Sequence, residues 1–325
     1  MAALMKRREL LFGLAALPST LPLASRTAAA ETYPTRPVRI LVATSAGGGT
    51  DLVARFIAQW LTERLGQPFV GPAAATTSAP RWRRAPPRTA TRCSLANAVN
   101  AINSSLYQKL NYNFIADFAP VANVMGTPLL VLVHPAVAAR SAAELIALAK
   151  ASPGKLNLAS GGIGATGHMS AELFQMMAGI KLTHVPYRGE APALTDLIAG
   201  QAQVMVSTTG SSLQYAKAGT VRALATTTDE RVAELPEVPP LSQTMPGYHA
   251  NAWNGLCAPK GTPPEIITLL NREVNLAMAD AKIKERMASL GGVALPGSPE
   301  DYGRTIAADT EKWGKVVQFS GARVN

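Results

Sequence analysis

From residue 38 onward, short aliphatic runs alternate with longer stretches whose apolar residues recur every three or four positions. Residues 38–43 read as a buried strand. Leu52, Phe56, Ile57, Trp60, Leu61 and Leu65 then share one helical face, and Gly66 is a natural stop. Residues 117–125 read as a strand, Gly126-Thr127-Pro128 as a break in it, and residues 129–134 as a second strand. The alternation then becomes regular. Helix 142–150, strand 156–159, helix 168–178, strand 182–185, helix 191–198 and strands 204–207 and 223–226 follow one another. Residues 252–258 return as a strand. Segments 263–279 and 281–290 have amphipathic spacing, and 299–320 contains a last helix with Trp313. Such β-α-β alternation implies parallel sheets covered by helices. The break at Gly126 to Pro128 is a candidate crossover between domains.

Two of the strand-to-helix joints are rich in glycine. Ala46-Gly47-Gly48-Gly49-Thr50-Asp51 joins the first strand to the first helix, where Thr50 or Asp51 can act as cap. Ser160-Gly161-Gly162-Ile163-Gly164-Ala165-Thr166-Gly167 repeats the arrangement further on, with hydroxyl donors at Ser160 and Thr166. Bare N–H groups and the positive end of a helix dipole then meet at one spot, which suits an anion. Each loop taken singly also serves as a tight turn without a ligand. Neither carries Gly-Lys-Ser/Thr, so neither is a P-loop, and no G-x-G-x-x-G supports a dinucleotide. A carboxylate or small oxyanion remains. Two such loops on different α/β units suggest a solute held between lobes at the carboxyl ends of their strands, with hinge closure as the motion. Asn97, Asn100 and Asn103 lie at a spacing of three. Their amides face one side of a helical turn, either as donors or as plain capping chemistry.

Charge adds little to this picture. The 325-residue chain carries a net +10 and is 47% hydrophobic, which allows two well-filled domains. Lys6, Arg7, Arg8 and Arg26 against Glu9 account for +3, and Arg81, Arg83, Arg84, Arg88 and Arg92 for +5. The excess is therefore local, and no nucleic-acid partner is expected. Residues 1–30 have a basic start, a short apolar run broken by Pro18, and Ala28-Ala29-Ala30, the pattern of a secretory signal peptide. Export to the periplasm is expected, by the general route or, through Arg7-Arg8, by the twin-arginine one. No later stretch is apolar for long enough to span a bilayer. Cys93 and Cys257 sit far apart in unlike contexts, and no disulfide is expected.

Catalytic signatures are missing. No His/Cys/Asp cluster has metal-ligand spacing and no G-x-S-x-G elbow occurs, so no catalytic residue, metal or cofactor is expected. His168 is either a ligand donor or a packed helix residue. Arg188 pairs with a distal carboxylate or forms a structural salt bridge. Tyr187 and Trp253 flank an apolar ligand body or belong to the core. Asp51 would repel a carboxylate beside it and reads as a helix cap or dipole partner; facing the ligand, it would favour an ammonium group.

Several stretches together carry a resemblance. They are Tyr33-Pro-Thr-Arg-Pro-Val-Arg39, Gly47-Gly-Gly-Thr-Asp51, residues 110–121, residues 160–174, Val185-Pro-Tyr-Arg-Gly189 with Pro192-Ala-Leu-Thr-Asp196, and residues 253–263. In this order the chain resembles the Bug family, the extracytoplasmic solute receptors associated with tripartite tricarboxylate transporters. The resemblance implies an α/β fold of periplasmic-binding-protein type II, a two-lobe Venus flytrap with parallel-rich sheets flanked by helices. Lobe 1 would comprise residues 31–127 and 252–325, and lobe 2 residues 128–251. It implies a monomer that binds a small carboxylate and hands it to membrane transporter subunits. By position, Ala46, Gly47, Gly48, Gly49 and Thr50 would form one side of the ligand shell. Ser160, Gly161, Gly164, Ala165, Thr166 and His168 would form the other, with Tyr187 and Gly189 lining the cleft and Asn97 adding an amide. Tricarboxylates, dicarboxylates, acidic amino acids and aromatic acids all occur as ligands in the family. A receptor feeding a signalling partner is a competing reading, as is an α/β hydrolase built on Ser160 and His168.

Residues 71–94 depart from the family pattern. They are Ala, Thr, Pro and Arg in runs, with no strand or helix period. Residues 88–94 can be encoded CGG ACG GCT ACA CGC TGC TCG. Read from the third base, that sequence gives Asp-Gly-Tyr-Thr-Leu-Leu, the family's strand. A compensated double frameshift over about residues 71–94 is the expectation, and with it a first-lobe strand replaced by a basic, proline-rich segment unable to supply ladder donors.

Overall fold

Strand β1 (Val38–Val42) buries Val38, Ile40 and Val42 and leads to helix α1 (Gly49–Leu65) in a computed structural model that describes residues 33–42, 49–71, 91–110 and 112–324. Residues 1–30, Ala46, Gly47, Gly48 and residues 72–90, all singled out above, lie outside the described residues. The remaining elements in chain order are β2 (Phe69–Val70), β3 (Arg92–Asn97), α2 (Ala98–Leu106), β4 (Phe118–Val133), α3 (Ala142–Ala151), β5 (Asn157–Ser160) and α4 (Thr166–Ala178). They continue with β6 (Thr183–Pro186), α5 (Glu190–Ile198), β7 (Val204–Thr208), α6 (Thr209–Lys217), β8 (Arg222–Thr226) and β9 (Asn251–Pro259). The last are α7 (Pro264–Ala279), α8 (Ala281–Ser289), β10 (Val293–Ala294) and α9 (Pro299–Ser320).

The strands form one mixed sheet in the order β2-β1-β3-β9-β4-β7-β5-β6, with β8 and β10 also paired to β4. Parallel pairing holds in the outer parts, β2-β1-β3 and β7-β5-β6, where α1 leads from β1 to β2, α4 from β5 to β6 and α5 from β6 to β7. The middle is antiparallel because β4 and β9 run through it in opposite directions. The expected break at Gly126 to Pro128 is absent, and β4 is continuous over 16 residues. What changes there is the partner. Pairing with β9 ends at Pro128 opposite Asn251, and from Leu129 the strand pairs with β7 and β8. Gly126 is needed for a different reason, since a Cβ there would lie 2.6 Å from the Asn251 amide.

Arg92, Cys93 and Ser94, the end of the anomalous segment, are strand after all. They pair with β1 on one side, and from Ser94 with β9 on the other. No proline falls there, and the two-residue period turns Arg92 outward and Cys93 inward. Ser94 stands opposite Cys257 in the register, so Cys93 and Cys257 point to opposite faces of the sheet. Both are free thiols, each pushed up to about 12 by burial.

Helix ends follow their side-chain signals. Asn97 and Asn100 form a capping box on α2, Ser298 and Asp301 another on α9 with Pro299 at its first position, and Gly179 ends α4 in the left-handed region. Helix α1 begins at Gly49, so Thr50 and Asp51 lie inside its first turn rather than at its cap. Asp51 is buried and accepts from Arg55 Nε at 2.8 Å, one turn on, as a dipole partner would. Helix α9 packs across α2 and α4, and its fully buried Trp313 joins Ile102, Phe174, Tyr248, Trp253 and Tyr302 in one core. Each such buried side chain contributes about 1.5–3 kcal/mol. This core joins residues of β3, β4, β5, β7, β8 and β9 to α2, α4 and α9.

Candidate functional site

Five helices begin at one cavity of about 440 Å³. Gly49 and Thr50 come from α1, Ala98 from α2, Thr166 from α4, Glu190 from α5, and Gly210 and Ser211 from α6. Every one of these helices follows a strand; β1 and β3 run opposite to β5, β6 and β7, so the two sets of carboxyl ends approach the cavity from opposite directions. Unpaired N–H groups of the first turns and five positive dipole ends therefore converge. Each dipole is worth about 0.3–1 kcal/mol to an anion when exposed and up to ~2 kcal/mol when partly buried. Thr127, Trp253 and Asn254 from β4 and β9 close the wall.

Asn97 caps α2 as foreseen and also lines the cavity. Its Oδ1 accepts from Val99 N at 3.1 Å and caps α2, while its Nδ2 donates to Thr50 Oγ1 at 3.3 Å across the cavity wall. Gly49, Thr50, Asn97 and Thr166 are the sequence-selected residues that line the cavity. Among the other described candidates, Ser160, Gly161, Gly164, Ala165, His168, Tyr187 and Gly189 lie outside its lining, each for a local reason. The Ser160 hydroxyl is buried and sits 2.6 Å from His184 Nε2. Gly161 packs against Gly189 and Glu190, where a Cβ would come within 3.1 Å of the Glu190 nitrogen. Gly164, at φ +79°, packs on Leu106 and donates its N–H to His168 Nδ1, and Ala165 precedes α4 with its N–H bonded to Gly162. His168 is buried, stacked on His184 with ring centroids 3.9 Å apart, and lies 3.5 Å from the Glu172 carboxylate. Tyr187 donates to Asp196 at 2.6 Å, a bond that holds its hydroxyl up at about 12. Gly189 supplies the turn into α5 at φ +113°. Arg188 is exposed.

The second glycine loop is thus held from behind by a stacked histidine pair. Burial first, and then the neighbouring His168, pull His184 down to about 4, so that its ring stays neutral at neutral pH. The pairing of Ser160 with His184, not with His168, and its burial leave no exposed nucleophile there. Among the described residues no group of three His, Cys, Asp or Glu can hold a metal ion. Trp253 belongs to core and site at once. It lines the cavity, is 3% exposed, and donates Nε1 to Asp309 Oδ2 at 2.6 Å.

Sequence reasoning passed over Thr208, Gly210 and Ser211. Their signal was present: Thr208-Thr209-Gly210-Ser211-Ser212 is a third run of small hydroxyl and glycine residues between a strand and a helix. Glu190 had no comparable signal, since its place is fixed by the turn at Gly189.

Comparisons with known proteins give the family and the fold. The model of the tripartite tricarboxylate transporter family receptor matches residues 53–322. Protein BugT of Bordetella pertussis is 33% identical over 301 residues, 91% of this chain and 92% of its own. An R. palustris protein solved with adipate is 32% identical and superposes with a TM-score of 0.74 over 89% of this chain and 98% of its own. MatC of Rhodopseudomonas palustris, solved with bound malate, is 28% identical, with a TM-score of 0.73 over 88% of this chain and all of its own.

Proposed function

The chain belongs to the tripartite tricarboxylate transporter receptor family, and from that premise we propose that it captures a small carboxylate, reversibly and without chemistry, in the cavity where α1, α2, α4, α5 and α6 begin. The observation that carries this reading is the convergence of five helix starts with the hydroxyls of Thr50 and Thr166 and the amide of Asn97 on a volume of about 440 Å³. That volume suits a small organic acid. The ligands of the two solved relatives, adipate and malate, are acids of this kind.

Residues 31–127 with 252–325 form one lobe in this reading, and residues 128–251 the other. The change of partners along β4 at Pro128, opposite Asn251 of β9, supports these boundaries. Closure about these two strands brings Gly49, Thr50 and Asn97 of the first lobe against Thr166 and Ser211 of the second. The protein then acts in the periplasm as a monomer and delivers the acid to membrane subunits of a tripartite tricarboxylate transporter. Among the described residues no helix is long and apolar enough to cross a membrane.

A titration of the purified protein with a panel of mono-, di- and tricarboxylates tests this. An acid at a hundred times its dissociation constant should stabilise the fold by roughly 2.7 kcal/mol and be recovered unchanged. A panel in which no acid raises the melting temperature, or in which an acid is consumed, contradicts the proposal.

A further inference from the structure

Helix α9 grips one residue of the cavity wall. Trp253 lines the cavity, and its Nε1 donates to Asp309 Oδ2 at 2.6 Å. Tyr302, seven residues before Asp309 and so on the same helical face, meets the indole at 82° with ring centroids 5.6 Å apart. Strand and helix touch nearby, since a Cβ at Gly255 would lie 2.3 Å from the Tyr302 ring.

Asp309 lies outside the cavity lining but is buried. Its other oxygen, Oδ1, is 2.7 Å from Lys312 Nζ. That ammonium also donates to the His249 carbonyl at 3.2 Å and stands 4.4 Å from the Trp313 ring centroid. Packing alone does not call for this arrangement. A buried ion pair returns little net stability against the cost of dehydrating it, and apolar residues of like volume serve as well. What it supplies is direction. An indole has a single donor, and a bond from it to a carboxylate is roughly twice as strong as one to a neutral acceptor. With Lys312 on its second oxygen, the carboxylate is held in place against the indole.

The other described tryptophans sharpen the contrast. Trp60 and Trp313 both bury Nε1 with no hydrogen-bond partner among the described residues, despite the cost of an orphaned donor. The tryptophan that lines the cavity is the one given a charged partner, itself fixed by a second charge.

We infer that Asp309 is a positioning residue for ligand capture: it fixes the Trp253 indole, and with it the β9 wall of the cavity, while Lys312 holds Asp309 in place. This rests on the carboxylate capture proposed above and assigns α9 a part in it.

Calorimetric titration with malate, adipate and citrate as probes tests it in a double-mutant cycle. Asp309→Asn cannot serve both neighbours, because its NH2 must face one donor or the other, Lys312 Nζ or Trp253 Nε1. It should weaken the acid that binds the wild type by about fivefold or more. Trp253→Phe keeps a ring in the wall and removes the N–H. In that background Asp309→Asn should change the affinity by less than about twofold, since the group it acts through is gone. Lys312→Gln leaves Asp309 able to accept from the indole and should show the same dependence on Trp253 in weaker form, which decides the matter where Asp309→Asn does not fold. Equal loss in both backgrounds overturns the inference, because Asp309 would then act through the fold at large. Wild-type affinity in Asp309→Asn also overturns it and leaves the capture of carboxylates standing. A wild type silent toward all three acids overturns both readings.

Discussion

Replacing Gly210 with alanine should weaken ligand capture while leaving the free protein as stable as before. Gly210 lies in the first turn of α6, and a Cβ there would stand 2.4 Å from the backbone oxygen of Leu290, which follows α8. Ordinary contact begins at 3.4 Å, so the two segments must part by about 1 Å. The neighbouring bond from Thr209 Oγ1 to the Gly291 carbonyl, 2.6 Å long, would be stretched with them. Overpacking of this kind costs typically about 1–3 kcal/mol. If the lobes hinge, the open protein escapes the clash, and the cost falls on the closed, ligand-holding state alone. At 1.4 kcal/mol per factor of ten, the acid should bind about 5- to 150-fold more weakly. Alanine is also favoured over glycine within a helix by roughly 0.5–1 kcal/mol, so the melting temperature of the free protein should hold or rise slightly. Calorimetric titration with an acid that binds the wild type, and melting without ligand, give the two numbers. An unchanged affinity with a lowered melting temperature would refute the reasoning: the Gly210 contact would then be permanent and no hinge would open there.

Other consequences follow from single side chains. Asn97→Ala loses both the cap on α2 and the amide toward Thr50, and should lower stability by about 1 kcal/mol and weaken binding together. Asn97→Asp keeps the cap but sets a negative charge beside the bound carboxylate. It should melt near the wild type yet bind poorly, and good binding by this variant would remove Asn97 from the site. Acid should act through His184. The unfolded chain takes up its proton near 6.5 and the folded protein only near 4, so this contribution to stability is complete above pH 6.5 and is lost as pH falls from 6.5 toward 4. The full shift corresponds to about 3.4 kcal/mol, reduced by screening of the half-buried ring to about 1–2 kcal/mol. Denaturation at several pH values should show a flatter dependence for His184→Gln than for the wild type, and equal slopes would contradict this origin. Independent resequencing of codons 71–94 should reveal one shift into and one out of the reading frame, whereas the same intact frame in every read would leave the segment as ordinary divergence.

Most elements were legible because their signals are local. The spacing of Leu52 to Leu65, the alternation from residue 142 to 226 and the proline and serine ahead of α9 each name an element without help from the rest of the chain. The middle of the sheet was not legible. Gly126-Thr127-Pro128 reads locally as a break, and only the arrival of β9, more than a hundred residues later, makes it continuous strand. The site divides in the same way. Thr50 and Thr166 were found because glycine loops announce helix starts, and Asn97 because three asparagines recur at a spacing of three. Ser160 and His168 carry equally suggestive chemistry, but His184 comes from the adjacent strand β6 to bond the hydroxyl and stack on the ring. Nothing near either residue in sequence discloses that. Glu190 and Asn254 were missed because a side chain's direction at the mouth of a turn or in a central strand depends on partners distant in the chain.

The central claim is that a small acid sits where five helices begin. A crystal structure of the protein with an acid that binds it tests this most directly. A carboxylate should lie within hydrogen-bonding distance of Thr50 and Asn97, with Thr166 and Trp253 against the ligand. An acid found instead beside Arg140 and Arg222, in a second cavity of about 410 Å³ lined by β8, would contradict it.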